Sequence, residues 1–234
     1  MATFQGEKYV VAQLRSILSQ LGPEDEIVIV DDASTDQTCA LIRACQDSRI
    51  QLRESPMNRG VLAAFAETLQ NASGGVILLS DQDDLWEPSK VQTVLQAFHD
   101  YPEARLVVSD AVIIGQDNQI LAESYYAERG KFTAGLVANF IRCEYLGCVM
   151  AFRSELLPEV LPFPVGYDVF HDIWIGMRNE MSGGGVHYIA APLVRYRRHS
   201  ANLSGGLSWV RRVKVRLHLL TALLVDAVRR TVGN

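Results

Sequence analysis

Val76-Ile77-Leu78-Leu79-Ser80-Asp81-Gln82-Asp83-Asp84-Leu85-Trp86-Glu87-Pro88-Ser89-Lys90 is the stretch that decides the fold class. It opens with a short apolar run of the kind a strand covered on both faces shows, and the run stops abruptly in Asp81, Asp83 and Asp84. Carboxylates at that density repel one another unless a cation sits among them, and hard oxygen donors suit Mg²⁺ or Mn²⁺ rather than a soft metal. Open α/β sheets bind ligands there, outside the carboxyl ends of their strands. The other reading of the same residues is a solvated acidic turn ahead of a helix that Pro88 opens.

Working outward, apolar residues at helical spacing (Val10, Leu14, Ile17, Leu18, Leu21) precede a Gly22-Pro23 stop. A short buried run at 27–30 then ends in Asp31 and Asp32, and Asp36 is placed to cap the helix that follows. Residues 50–53 read as a strand, and Val61, Ala64, Phe65 and Leu69 as the inner face of a helix. Beyond the central stretch come a helix with Val91, Val94, Leu95 and Phe98, and a strand at 106–109 ending at Asp110. This alternation, with no GxGxxG, predicts an α/β domain built on a mainly parallel sheet without a dinucleotide fingerprint. From residue 111 the pattern changes to a hairpin, 112–114 against 120–122, which predicts a smaller mixed part; strands follow at 186–189 and 193–196. Tyr125, Tyr126 and Phe132 read as aromatic core, with sugar stacking as the alternative.

The chain has 234 residues, 48% of them apolar, enough for one large α/β domain with appended pieces. Its net charge of -5, without basic runs in the first two thirds, argues against nucleic acid as a partner. Cys39, Cys45, Cys143 and Cys148 lack zinc spacing and read as free thiols in a reducing compartment. The longest apolar stretch, 217–228, is broken by His218, Thr221 and Asp226 and falls short of the roughly 20 residues a bilayer requires.

Asp81-Gln82-Asp83-Asp84-Leu85-Trp86-Glu87-Pro88-Ser89-Lys90 resembles the metal-binding signature of family 2 glycosyltransferases, most closely that of their bacterial rhamnosyltransferase branch. The resemblance implies a GT-A fold with an apparently truncated first strand, in which Asp81 and Asp83 hold Mn²⁺ or Mg²⁺ against the diphosphate of a nucleotide sugar. The segment 30–38 resembles the first acidic motif, whose second Asp takes the ring NH of a pyrimidine; that role passes to Asp32, and a neighbouring one to Asp31. Ala2-Thr3-Phe4-Gln5-Gly6-Glu7 resembles the A-T-x-x-G-E segment, which puts Thr3 and Glu7 at the donor, although Phe4-Gln5 stands where the family has Tyr-Asn. Asn58-Arg59-Gly60 is similar to the N-x-G loop, with Arg59 facing the diphosphate. Gly147 and Cys148 match the G-C-x-M strand beside the acceptor. His171-Asp172-Ile173-Trp174 resembles the HDxW form of the motif whose Asp is the catalytic base, with His171 and Trp174 on the acceptor side. Residues 196–205 resemble Y-R-x-H-x-x-N-x-S-G, which implies that His199 completes the metal shell or hydrogen-bonds the diphosphate and that Arg198 or Arg197 adds positive charge.

Together these imply an inverting transfer of a sugar, L-rhamnose above others, from a dTDP or UDP donor to a saccharide or lipid-linked saccharide in cell-surface polysaccharide synthesis. The implied organisation is a catalytic domain over 1–205, with 1–110 the nucleotide-sugar half and 111–205 the acceptor half, and a basic amphipathic helix over 206–234. In that helix Arg211, Arg212, Lys214, Arg216, Arg229 and Arg230 oppose Asp226, while Trp209, Val213, Leu217, Leu220, Leu224 and Val228 form an apolar row. The expected location is the cytoplasm, peripheral on the inner face of the membrane, with packing of the helix on the protein's own core as the alternative. The family's first strand also leads to the expectation that the natural protein begins upstream of Met1; the alternative is that residues 1–4 supply a stub of that strand. A sugar-phosphate nucleotidyltransferase would need a Gly-rich amino-terminal loop that is missing, a phospho-accepting signalling domain has no use for HDxW, and an inactive nucleotide-sugar-binding protein would keep the same motifs.

Overall fold

The run at 27–30 folds as β2 (Ile27–Asp31), buried along its whole length between two strands that both run parallel to it, β1 (Ala2–Thr3) and β3 (Ile50–Glu54). The computed structural model describes residues 1–142, 144–164, 166–199 and 209–232, without the side chains of Arg212 and Val232. Cys143, the Asn202 to Gly205 end of the last motif and the boundary at 205 lie outside these residues. Between the three strands run α1 (Val10–Leu18) and α2 (Thr38–Ala44). Helix α1 buries Val10, Leu14 and Ile17, its apolar stripe at three- and four-residue spacing.

Helix α3 (Val61–Gln70) leads to β4 (Val76–Leu78), β5 (Leu85–Trp86), α4 (Lys90–Asp100), β6 (Ala104–Ile114) and β7 (Ile120–Ala122). Then follow α5 (Tyr125–Arg129), α6 (Leu136–Arg142), a tight turn at Gly147–Val149, β8 (Met150–Arg153), α7 (Leu157–Val160), α8 (His171–Met181), β9 (Gly185–Arg197) and α9 (Trp209–Val232). A second, mixed sheet has the order β4-β8-β6-β9-β5, with β7 paired to β6. In it β6 and β9 are parallel, while β8 is antiparallel to both β4 and β6.

Several sequence expectations change here. The strand read at 106–109 does not end at Asp110 but continues to Ile114, because β9 pairs with it along its length. For the same reason 186–189 and 193–196 are one strand. The run at 76–80 is strand only to Leu78, after which the Leu79 amide still donates to the Met150 carbonyl (3.0 Å). The two sheets meet through side chains near the carboxyl end of β1. Gln82 accepts from the Phe4 amide (2.8 Å) and donates to the Phe4 carbonyl (2.9 Å), as a strand neighbour would. Buried Gln13 on α1 reaches Ser80 Oγ (2.8 Å) and the Asp81 carbonyl (3.1 Å). One hydrophobic core spans both sheets, from Val10 and Ile29 to Leu106, Phe152 and Trp174.

Gly176 on α8 lies flat against the Tyr145 ring, where an added Cβ would come within 2.0 Å of it. Gly176→Ala should therefore lower the unfolding free energy by about 1–3 kcal/mol, the usual cost of overpacking a filled core, as read from the denaturation midpoint; an unchanged midpoint would show that the ring has room to move.

Candidate functional site

The carboxylates of 81–84 gather where the ends of the two sheets meet. Burial, then repulsion from Asp83 and from Asp172, pushes the Asp81 carboxyl up to about 7. Burial, then Asp83 and Asp81, raises Asp84 well above the carboxylate range. His199 Nε2 lies 2.6 Å from Asp83 Oδ2. Asp81, Asp84 and Cys148 bring their ligand atoms within 4.8 Å of one another, and Asp84 Oδ2, buried, has no hydrogen-bond partner among the described residues. This donor set, rich in carboxylate oxygen, fits a hard divalent cation. The Cys148 thiol, raised well above the thiol range by burial and the adjacent acids, is a soft donor that a hard cation does not favour.

Arg197, Lys90 and Tyr9 hold this loop in place, the first two in a structural role that the motifs did not assign them. Arg197, buried, donates from Nε to the Asp83 carbonyl (2.7 Å) and from Nη1 to the Gly115 carbonyl (2.9 Å), while its amide donates to Asp84 Oδ1 (2.8 Å). Tyr9 stacks on His199 with centroids 5.6 Å apart, and the Arg197 guanidinium lies 4.6 Å from the Tyr9 ring centroid. Lys90 is fully buried with its ammonium 4.3 Å from the Trp86 ring centroid, and it donates to the Cys148 carbonyl (2.7 Å). Burial draws its pKa down to about 8, against the pull of Cys148, Asp84 and Asp81. The sequence signal was available: a lysine on the inward face of an amphipathic helix, next to an acidic loop.

Asp172 opens α8. Its Oδ1 accepts from the Ile173 amide (2.7 Å) and its Oδ2 from the Gly147 amide (3.1 Å), yet burial raises the carboxyl to about 6. Gly147 is tight against His171, whose Nε2 would be 2.7 Å from an added Cβ. His171 is itself buried, stacked on Phe65 at 3.8 Å and held neutral by burial, with its pKa drawn down to about 3. Thr3 Oγ1 and Ser34 Oγ both donate to Asp31 Oδ2 (2.7 Å each). Asp32 accepts the amides of Arg59 (2.8 Å) and Gly60 (2.7 Å), one on each oxygen, which leaves each a lone pair for a ring NH.

Other residues of the sequence reading are engaged elsewhere. Trp174 is fully enclosed and donates its indole N–H to the Val160 carbonyl (2.9 Å), so it presents no surface to an acceptor. Cys148 is likewise a core residue, and what it offers its surroundings is its carbonyl. Glu7 is drawn to the start of α2, where its carboxylate takes the Gln37 amide (2.9 Å), an unpaired donor that a carboxylate stabilises. The Arg59 guanidinium pairs with Glu67 on α3. Arg198 is exposed, its amide donating to Ile114. Asp110, buried within β6, is spent on the Ala111 and Tyr126 amides and on Ser124. Asp36 caps as expected, accepting from the Thr38 amide (3.0 Å). Tyr125 and Tyr126 are core.

A family model described as glycosyl transferase family 2 matches residues 1–161. An uncharacterized glycosyltransferase of Nostoc sp. is 27% identical over 211 residues, which cover 86% of this chain and 64% of that protein. An Escherichia coli protein named UDP-Glc:alpha-D-GlcNAc-diphosphoundecaprenol beta-1,3-glucosyltransferase is 32% identical over 92 residues, 39% of this chain and 36% of that protein. The chain thus spans less than two thirds of these relatives' own length. Among solved structures, Staphylococcus aureus TarS 1-349 in complex with UDP-GlcNAc superposes with a TM-score of 0.74 at 18% identity, over 95% of this chain and 65% of that one. The Pyrobaculum calidifontis mannosyltransferase PcManGT, in complex with GDP-Man and Mn²⁺, gives 0.61 at 22%, over 97% of this chain and 62% of that one. The fold is GT-A.

Lys90→Met keeps the volume but removes the cation beside Asp81 and Asp84 and leaves the Cys148 carbonyl buried without its donor. A loss of about 1–3 kcal/mol is expected from the unmade hydrogen bond alone, measured by urea unfolding. Unchanged stability would mean that the lysine is not part of what holds the acidic loop.

Proposed function

This chain belongs to glycosyl transferase family 2, and we propose that it is an inverting, divalent-metal-dependent glycosyltransferase. Its donor is a pyrimidine nucleotide sugar, dTDP-L-rhamnose ahead of a UDP sugar, on the strength of the HDxW pattern at 171–174. Its acceptor is a saccharide or lipid-linked saccharide of cell-surface polysaccharide synthesis, worked on in the cytoplasm at the inner face of the membrane. A diphosphoundecaprenol acceptor in the name of one relative supports the lipid-linked form.

The observation that carries the reading is the meeting of three distant motifs: His199 lies on Asp83, and Asp172 is close enough to Asp81 to raise its pKa. Asp81, Asp83 and His199 would hold the ion, Mn²⁺ or Mg²⁺, which when bound supplies Lewis acidity to the departing nucleoside diphosphate. Asp172 takes the proton from the acceptor hydroxyl as its oxygen attacks the anomeric carbon and the bond to the diphosphate breaks, so no covalent nucleophile is needed. Its two amide donors fix the direction of the carboxylate, and its raised pKa makes it a better proton acceptor than an ordinary aspartate. Asp31, Asp32, Thr3 and the exposed Arg198 are the donor-side candidates, Arg59 joining them only by leaving Glu67, and Gly147 and His171 shape the acceptor side.

The decisive experiment incubates the protein with Mn²⁺ and a panel of nucleotide sugars and follows release of nucleoside diphosphate. Asp172→Asn should keep donor affinity within about threefold while lowering turnover by roughly 10² or more. Because the carboxyl must be ionised to accept a proton, wild-type turnover should fall as pH drops through about 6; retention of that acid limb in a still active Asn variant would place the base elsewhere. Asp83→Ala should abolish Mn²⁺-dependent binding of dTDP or UDP in calorimetry without loss of stability, since it relieves repulsion; unchanged affinity would refute the metal assignment.

A further inference from the structure

Helix α9 has two apolar faces. Val215, Leu219, Ala222 and Leu223 are buried against the body of the protein. The row of Trp209, Val213, Leu217, Leu220, Leu224 and Val228, at three- and four-residue spacing, stays in solvent with exposures from 39% to 77%. This exposed row continues onto a second helix. Arg216 donates to the carbonyls of Phe140 and Ile141, which brings the end of α6 alongside, and α6 exposes Val137 (73%) and Ile141 (59%). Monomeric proteins seldom leave an apolar surface of that extent uncovered.

Charge narrows the choice of what covers it. Of the six cations along α9, Arg211 pairs with Asp168, Arg230 with Asp226 and Glu159, and Arg216 donates to the end of α6. Lys214 and Arg229 are exposed on α9. A second copy packed on this face about a two-fold axis would set those cations against their own images. An anionic bilayer reverses that sign: the apolar row enters the acyl boundary while each nearby Lys or Arg gains about 1 kcal/mol from the surface potential. No described helix is long and apolar enough to cross a membrane.

We propose that the joint face of α6 and α9 seats this protein on an anionic lipid surface, with α9 lying in the plane of the interface. The proposal rests on the lipid-linked acceptor reading above and gives it a geometry, since a transferase held this way meets an acceptor confined to the membrane and a donor arriving from water.

The test uses the full chain with vesicles of phosphatidylcholine alone and of phosphatidylcholine mixed with phosphatidylglycerol. Trp86 and Trp174 are buried, so a change in emission on vesicle addition reports Trp209. Flotation with the anionic vesicles only, weakening as salt is added, and a blue shift of Trp209 are expected. The exposed-site variant Leu217→Gln/Leu220→Gln/Leu224→Gln should lower the bound fraction by about tenfold or more, and Lys214→Glu/Arg229→Glu should do so without touching the apolar row. Absence of flotation, flotation that survives both variants, or a concentration-dependent dimer in light scattering that the triple variant dissolves would overturn the proposal. Mn²⁺-dependent UDP binding, measured on the same samples, separates the two readings. Nucleotide binding without flotation removes only the membrane surface, whereas flotation without binding of any nucleotide sugar removes the transferase reading and leaves the surface standing.

Discussion

Asp81, Asp83 and Asp84 are held on one loop against their mutual repulsion, and the surroundings of that loop follow from the need to keep them there. Two unit charges about 4 Å apart cost about 4 kcal/mol at the effective dielectric near a protein surface, against a total stability of roughly 5–15 kcal/mol. Burial and, after it, this repulsion raise Asp81 and Asp84, so that part of the cost is avoided by protonation. The rest is opposed by fixing the backbone. Gln13 holds the Asp81 carbonyl, Arg197 the Asp83 carbonyl, and the Arg197 amide one oxygen of Asp84. Because most of these contacts fall on main-chain atoms, the carboxylates stay available for an ion.

The same clamp reaches the proposed base. Lys90, fixed on the first turn of α4 by the Trp86 ring, holds the Cys148 carbonyl, and the preceding amide, that of Gly147, donates to Asp172. The acidic loop and the carboxylate that takes the acceptor proton therefore share one tight turn. Gly147 has no substitute there, since His171, packed on Phe65, already occupies the space of a Cβ. Preorganisation of this kind matters for a transfer reaction, in which a base misplaced by a fraction of an ångström loses its alignment with the attacking oxygen.

Local patterns in the sequence determined a good deal by themselves. Apolar runs ending in acids located β2 and β4, helical spacing located α1, α3 and α4, and the motifs led to a family and fold that the comparisons bear out. These features were legible because strand burial and helix amphipathicity are written within a few neighbouring residues. What only the tertiary structure decided depends on partners far along the chain. Pairing with β9 carried β6 past Asp110. Enclosure by the α7 and α8 neighbourhood turned Trp174 from an acceptor contact into core. The inward path of Lys90 and Arg197 made clamps on main-chain carbonyls of two side chains whose partners the motifs do not name. On α9 one periodicity serves two apolar faces, and spacing alone cannot say which of them the protein covers; burial of Val215, Leu219 and Leu223 left the other row outside. Side-chain placement of this kind is set by what arrives from the opposite side of the core, and a linear pattern carries no record of it.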